Sequence, residues 1–355
     1  MSLISDVKEY EAWLRRECVV DEAGLREKHS RMAQDPFKFF RATCFRFARK
    51  TPKLLPGHLC DAPVVPSVGD AHIENWGTWR DGEGRLVWGV NDFDDAALLP
   101  YTYDLVRLAT STRLAPGLPG ARRDRVASIL EGYREGLEHP GPIFADDERP
   151  WLQSLVLRPS AKTSAFWDYM EGLKEIAEEE VPSEARKALE TASPEFMIVA
   201  FYCRRQSGGG SLGRPRYLVV GEWQGGAIVR EAKALVPSSW DWAAGRTNGG
   251  HLLERVARGA SRSPDPFLRV EHDYVVRRLA PDAAKIDLSE EDAAEFGPEL
   301  LSAMGYDLAS IHSQEGAEED ITGHLDRLPE NWLHKAAKTV AESVDTDAAH
   351  WKSRA

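Results

Sequence analysis

The sequence predicts an α+β chain of two lobes, a small antiparallel β lobe and a larger, mainly helical one. Three observations predict it. Apolar, β-favouring runs separated by glycine turns concentrate between residues 194 and 282, while the flanking segments repeat apolar positions at helical spacing. Two further β-favouring stretches lie at 62–68 and 76–90, and the loops beside them carry Asp70, Asn75 and Asp92. The chain has 355 residues, 42% of them hydrophobic, which is enough to bury a substantial core.

Residues 1–60 are expected to form N-terminal helices packed on the large lobe. Ile4 to about Arg31 alternates charged and apolar positions at helical spacing, and Asp35-Pro36 opens a second helical stretch rich in Phe37, Phe39, Phe40, Phe45 and Phe47. Residues 61–193 then hold a hairpin and large-lobe helices. Ala62 to Val68 is a short, Pro-punctuated strand feeding the Gly69-Asp70 loop, and Trp76–Trp79 and Arg85–Val90 fit two arms turning at Asp81-Gly82-Glu83-Gly84. From Pro100-Tyr101 one helix is predicted to run through the Arg-rich region to about Leu137. Near its start Asp104 is placed to cap backbone donors beside the Asp70 loop. Asp146 to about Ser193 is polar and helical in pattern, and Glu178-Glu179-Glu180 reads as a solvated face.

Residues 194–282 form the predicted β lobe. Met197–Arg204 reads as a strand, Ser207–Gly213 as a glycine loop, Tyr217–Val220 as a strand, Gly225-Gly226 as a turn, and Ala227–Lys233 as a strand ending in lysine. A short helix from about His251 to Gly259 and strands at Phe267–Val270 and Tyr274–Leu279 follow, leading into a connector at Ala280-Pro281. Residues 283–355 return to helices. Pro298–His312 sets Leu300, Leu301, Met304, Leu308 and Ile311 on one side, with His312 as a packing or capping residue, and His324 to Lys352 gives one or two peripheral helices.

Aspartate and asparagine are individually common as turn formers. In order and between apolar strands, Asp70, Asn75 and Asp92 have the spacing of a phosphotransferase: a base, an amide five residues on, and a second carboxylate after a hairpin. Phosphoryl transfer needs positioning and charge neutralisation more than covalent help, and Mg²⁺ is satisfied by a few protein oxygens and water. Asp70 is therefore the expected base, Asn75 and Asp92 the expected metal ligands, and Asp94 a reserve ligand. Gly208, Gly209, Gly210, Ser211 and Gly213 are the expected phosphate cover, since glycine lets backbone N–H groups approach an anion. Lys233 is the expected phosphate clamp. Glu254 is its candidate partner, with Glu222 or Glu231 as alternatives, and the Ala280-Pro281 connector is where an adenine would lie.

In ordinary kinases the glycine loop and lysine precede the base. Here they follow it, which predicts a protein-kinase-like fold in rearranged, circularly permuted order and brings His312 close to Val65. Asp35–Arg41, Gly69–Asn75, Asn91–Asp94, Tyr103–Leu108, the glycine loop with Lys233, and Tyr274–Leu279 together resemble the bacterial domain-of-unknown-function 2252 family over most of the chain. The resemblance implies a fold like protein kinases and aminoglycoside phosphotransferases, and no particular substrate. Gly69 to Asn75 is also similar to the small-molecule phosphotransferase pattern His-Gly-Asp-x-x-x-x-Asn, except that Ser67-Val68 stands where the histidine is expected and the hairpin from Asn75 to Asp92 is longer.

The leading expectation is an ATP- and Mg²⁺-dependent transfer to a hydroxyl of a small molecule. The alternatives are a pseudokinase or nucleotide-sensing module without turnover, a kinase-fold nucleotidyltransferase, and a metal-dependent hydrolase using Asp70, Asp92, Asp94, Asp95 and His72. A net charge of −12 argues against general nucleic-acid binding, so an anionic nucleotide needs local Arg and Lys. No membrane partner is expected, because no apolar run is long enough to span a bilayer. Four dispersed cysteines, Cys18, Cys44, Cys60 and Cys203, suggest reduced structural thiols and a cytoplasmic enzyme. Acceptor specificity is expected from the helical region between Leu114 and Ser193 and from the tail.

Overall fold

In the computed structural model, which describes residues 2–145, 152, 161–195, 197–205, 210–246, 250–283 and 297–354, the β lobe is a six-stranded antiparallel sheet. The chain begins with α1 (Leu3–Glu17), α2 (Glu22–Met32), α3 (Pro36–Ala42), α4 (Cys44–Leu54) and α5 (Gly57–Cys60). Asp35 starts α3 as expected, its carboxylate accepting from the Lys38 amide at 2.8 Å with Pro36 in the first turn. β1 (Val64–Ser67) pairs antiparallel with β4 (Ala97–Pro100), while β2 (Trp76–Arg80), β3 (Leu86–Val90) and β5 (Ile143–Phe144) make a second small sheet. The β2–β3 hairpin turns where the sequence predicts, Asp81 accepting from the Glu83 and Arg85 amides at 3.0 and 2.9 Å.

The single helix predicted from Pro100 to about Leu137 is two, α6 (Thr102–Leu114) and α7 (Arg122–Glu138). Pro116 is the physical reason: it disfavours helical backbone at Ala115, which is extended at φ −63°, ψ 131°, and Gly117 and Gly120 follow with positive φ. Further along come α8 (Ala161–Glu171), β6 (Glu175–Ile176) and α9 (Ser183–Ala192), where the sequence reading had only helices, and Glu178–Glu180 is an exposed helical turn. β7 (Ile198–Arg204), β8 (Arg216–Trp223) and β9 (Gly226–Ala234) lead through short helices α10 (Ser239–Ala243) and α11 (Leu253–Ala257) to β10 (Arg269–Glu271) and β11 (Tyr274–Leu279). The chain closes with α12 (Pro298–His312), α13 (Glu318–Leu325) and α14 (Trp332–Lys352).

The sheet runs β10-β11-β9-β8-β7-β6. Strand alternation gives its two faces opposite characters. Tyr217, Val219, Ala232 and Val276 face α9 and form one apolar cluster with Ala185, Ala188 and Leu189. On the other face Leu218, Val220 and Val229 pack with Met170, next to Phe166 and Trp167 of α8. Further along that second face the register sets Arg216 opposite Lys233, and Glu231 opposite both Leu218 and Arg277. That charged end of the face looks onto the hairpin.

The main core joins β1–β4, α6, α7, α12 and α14. α7 and α12 approach closely because Gly305 has no side chain; a Cβ there would stand 2.0 Å from the Ile129 carbonyl oxygen. A second cluster holds the N-terminal helices through Tyr10, Trp13, Leu25, Phe39 and Phe45 against Val236, Trp242 and Ala348. The first helices therefore bridge both lobes, where the sequence reading placed them on the large lobe alone. No helix among the described residues is long and apolar enough to cross a membrane.

Candidate active site

The loop after β1 is held from beneath. Asp104, at the start of α6, accepts the Val68 and Gly69 amides at 2.7 and 2.9 Å, the capping role its position predicts. His312 Nε2 lies 3.1 Å from the same carboxylate, and its Nδ1 meets the Tyr133 hydroxyl at 2.8 Å. His312 is thus a buried packing residue, and α12 packs against β1, the strand that contains Val65. Gly69 adopts φ +78°, and a Cβ on it would stand 1.9 Å from the Asp95 carbonyl oxygen. Only glycine lets the two acidic loops close on each other there.

Asp70 projects from this loop onto Arg107, whose Nε donates to its Oδ1 at 2.5 Å. Arg107 is fully buried, with its guanidinium 4.3 Å from the Phe40 ring centroid and 4.8 Å from that of Phe47. Burial pushes the Asp70 carboxyl up to about 7; Arg107 opposes this, and the nearby carboxylates Asp95 and Asp92 add to it.

Asn75 ties the two loops together. Its side-chain N–H groups donate to the carbonyls of Asp70 at 3.1 Å and Asp92 at 3.0 Å, so the amide nitrogen is engaged and the amide oxygen is the atom suited to a cation. The hairpin is anchored from α12, where buried Asp307 accepts from Val90 N at 2.7 Å and Trp76 Nε1 at 3.0 Å and pairs with Arg262. Asp92 and Asp94 leave its end together. Lys233 reaches both, with Nζ 3.2 Å from Asp92 Oδ1 and 2.5 Å from Asp94 Oδ2, and Arg214 donates to Asp94 at 2.8 Å. Burial and Asp92 raise the Asp94 pKa, while Lys233 and Arg214 oppose them. Asp92 is the more exposed of the two carboxylates, at 24% of its side-chain surface against 7%, and touches Lys233 by the longer contact. Asp92 and the Asn75 oxygen fit a hard cation; Asp94, held by two cations, fits it less well.

Lys233 does not meet Glu254, whose carboxylate accepts the Val270 amide at 3.2 Å: α11 packs against β10, two strands away from β9. Glu222 lies at the outer end of β8. Glu231, two residues before Lys233 on the same face, is the nearer glutamate, and it is surrounded by Arg205, Arg216 and Arg277 at 3.1, 2.9 and 2.8 Å. Burial opposes its ionisation, but these guanidiniums outweigh burial and hold its carboxyl well below the usual range.

Gly208 and Gly209 lie outside the described residues. Gly210 and Ser211 line the cleft; a Cβ on Gly210 would stand 3.8 Å from Asp70 Oδ2, and Ser211 Oγ accepts from Arg216 at 2.5 Å. Gly213 instead faces away. At φ +97° it abuts Leu25, and its carbonyl accepts the Asp21 amide at 2.8 Å, so that end of the loop is clamped to α2.

These groups enclose a cavity of about 200 Å³. Ala257, Pro264, Leu268 and Leu279 line it with apolar surface beside β10 and β11, whereas Asp70, Asn75, Asp92 and Asp94 line it beside the hairpin. Local cations are abundant despite the overall charge of −12: Lys28, Arg41, Arg205, Arg214, Arg216, Arg262, Arg277 and Arg278 all reach the cavity. Sequence reasoning had given none of these a site role, nor Arg107, although Arg41, Arg107, Arg277 and Arg278 stand in its motifs. Among the described residues, no lining side chain comes from the region between Leu114 and Ser193 or from the tail; Tyr10, Lys28, Arg41, Cys44 and Phe45 of the N-terminal helices take that place. Also among the described residues, Cys44, Asp70 and Asp95 have ligand atoms close enough together to share one ion.

Residues 20–143 match the model of a family described as an uncharacterized protein conserved in bacteria, DUF2252. The match spans Asp70, Asn75, Asp92, Asp94 and Arg107 and stops before the β lobe with Lys233. No curated protein and no solved structure matches the chain.

Proposed function

We propose that this chain is an ATP- and Mg²⁺-dependent phosphotransferase acting on a hydroxyl of a small molecule, with a kinase-like, circularly permuted arrangement of its two lobes. One observation carries the reading: the Lys233 ammonium of the β lobe lies 3.2 Å from Asp92 of the hairpin, across a cleft whose floor is Asp70. Base, amide, acidic residue and lysine converge although the sequence separates them. That convergence is what in-line transfer from a triphosphate requires.

Asn75 and Asp92 are the residues suited to hold Mg²⁺, which would supply neutralisation of phosphate charge. The chain's own groups do the rest. Lys233, released in part from Asp92 and Asp94, would pair with phosphate oxygens, and Arg216 and Arg277 stand on the same sheet face to neutralise further charge. The Ala257, Pro264, Leu268 and Leu279 surface suits a purine ring. Asp70 would accept the hydroxyl proton, with Arg107 fixing its carboxylate orientation. The acceptor hydroxyl would face Asp70 beside Gly210 in the cavity.

The test is ligand-linked stability followed by turnover. Millimolar Mg-ATP should raise the melting temperature of the purified chain, and a screen of hydroxyl compounds should then reveal ADP release. Absence of any Mg-ATP shift would sink the proposal, and nucleotide binding with no ADP release across the screen would favour a sensor.

A further inference from the structure

Lys28, on α2, is a buried cation in the cleft that forms no direct ion pair among the described residues. It is 5% exposed, and its Nζ donates to the Gly210 carbonyl at 3.1 Å, one hydrogen bond where an ammonium can make three. The rings of Tyr10 and Phe45 stand 5.6 and 5.8 Å from the ammonium. The acidic groups around it are engaged elsewhere: Glu11 with His29 at 2.5 Å, Asp95 with the Ser239 amide at 2.7 Å, and Asp94 with Arg214 and Lys233. A buried charge without a close partner is costly, and such a group in a cleft is a candidate for binding an oppositely charged ligand.

A purely structural role does not need that charge. The glycine loop is already fastened to α2 by the Asp21–Gly213 bond at 2.8 Å and by the contact of Leu25 with Gly213, so a neutral side chain at position 28 would leave the tether in place. Lys28 also shares its wall with Asp70. Gly210 lies between the two: its carbonyl accepts from the ammonium, and a Cβ on it would stand 3.8 Å from the Asp70 carboxylate. Burial, with the Arg214 cation beside it, lowers the Lys28 pKa to about 8, so the ammonium predominates at neutral pH.

We infer that the acceptor carries an anionic group, a carboxylate or a phosphate, which the Lys28 ammonium binds while the acceptor's hydroxyl stands at Asp70. The inference rests on the phosphotransferase reading and narrows it to anionic hydroxyl compounds. Lys28 is then a specificity-determining residue.

The test uses the full chain saturated with Mg²⁺ and a non-hydrolysable ATP analogue, so that the nucleotide phosphate positions are filled. Inorganic phosphate and acetate are titrated separately by calorimetry, which distinguishes a phosphate from a carboxylate requirement. At least one anion should bind wild type, and Lys28→Met should weaken it tenfold or more while the analogue's affinity stays within about twofold. Lys28→Gln, which keeps a donor to Gly210 without the charge, should behave like the methionine variant and guards against a misfolded substitution. Equal anion affinity in wild type and both variants, or no anion binding by wild type, overturns the inference and leaves the phosphotransferase reading standing. Failure of the analogue itself to bind overturns both.

Discussion

Lys233 Nζ lies 3.2 Å from Asp92 Oδ1 although 141 residues separate them in the chain. The contact joins the cleft face of the sheet to the end of the hairpin, beside the Arg214–Asp94 and Arg278–Arg80 contacts. With Asp94 sharing the same ammonium and Arg214 behind it, the cluster is a small network in which each charge depends on the others.

Lys233→Met should therefore affect function and local electrostatics together. Asp92 and Asp94 would lose a common cation, and a nucleotide would lose a phosphate partner. Under the proposed function, ATP-dependent turnover should fall by about two orders of magnitude or more, mostly through the transition state, where phosphate charge is greatest. Steady-state ADP release measured beside nucleotide affinity checks this; unchanged turnover in the variant would remove Lys233 from the mechanism.

Asp70→Asn separates the base from the nucleotide site. The amide is nearly the same shape and cannot accept a hydroxyl proton as a carboxylate does, so turnover should drop by about 10²- to 10⁴-fold. The affinity for Mg-ATP should stay near wild type, because the nucleotide contacts proposed above lie on the sheet and hairpin. Stopped-flow turnover and calorimetric titration read the two effects separately, and a variant that turns over like wild type would eliminate Asp70 as base.

Glu231→Gln should destabilise the β lobe. The substitution leaves the Arg205, Arg216 and Arg277 guanidiniums facing one another without their shared anion, and breaking a buried ionic cluster on one side costs on the order of 3–5 kcal/mol. The pH dependence has a definite sign. Because the folded carboxyl is held below its unfolded value, its contribution is complete above the ordinary glutamate pKa of about 4.3 and is lost as pH falls below it. Urea denaturation at pH 7 and at pH 3 should show a smaller gap between wild type and variant at the lower pH. A constant gap would contradict the linkage.

Much of the fold was legible because its signals are local. The hairpin announces itself by Asp81-Gly82-Glu83-Gly84 between apolar arms, and the sheet by alternation that ends at Lys233. Asp70, Asn75 and Asp92 were legible through spacing, since loop and hairpin set the distance between them. The charge partners were not. Arg107 sits in an apolar run, Val106-Arg107-Leu108, and that run is the one sequence cue that it is buried; its pairing with Asp70 depends on how α6 packs beneath the loop after β1. Glu231 is legible as a possible partner of Lys233, but its three arginines are not: Arg216 joins it on one face only through the strand register, and Arg214, just before β8, pairs with Asp94 from the loop. That the N-terminal helices line the cleft was not legible, because nothing in α1–α4 records that they pack against both Trp242 and Ala348.

The same buried placement makes Lys28 a probe of stability as well as of binding. Its folded pKa, about 8, lies below the ordinary lysine value, chiefly through burial and secondarily through Arg214, while Glu11, Asp95 and Cys44 pull the other way. Between pH 8 and about 10.4 the unfolded chain holds a proton at this site that the folded chain has released, so the site's contribution to stability rises with pH across that window. Below it, the buried ammonium disfavours folding relative to a neutral side chain by on the order of 3 kcal/mol. Lys28→Met should consequently be more stable than wild type at pH 7, and the difference should shrink as pH is raised towards 10. Paired urea titrations at those two pH values decide it: a methionine variant that is less stable at pH 7, or a difference that does not change with pH, would mean that the ammonium is satisfied within the folded chain and has no need of a ligand.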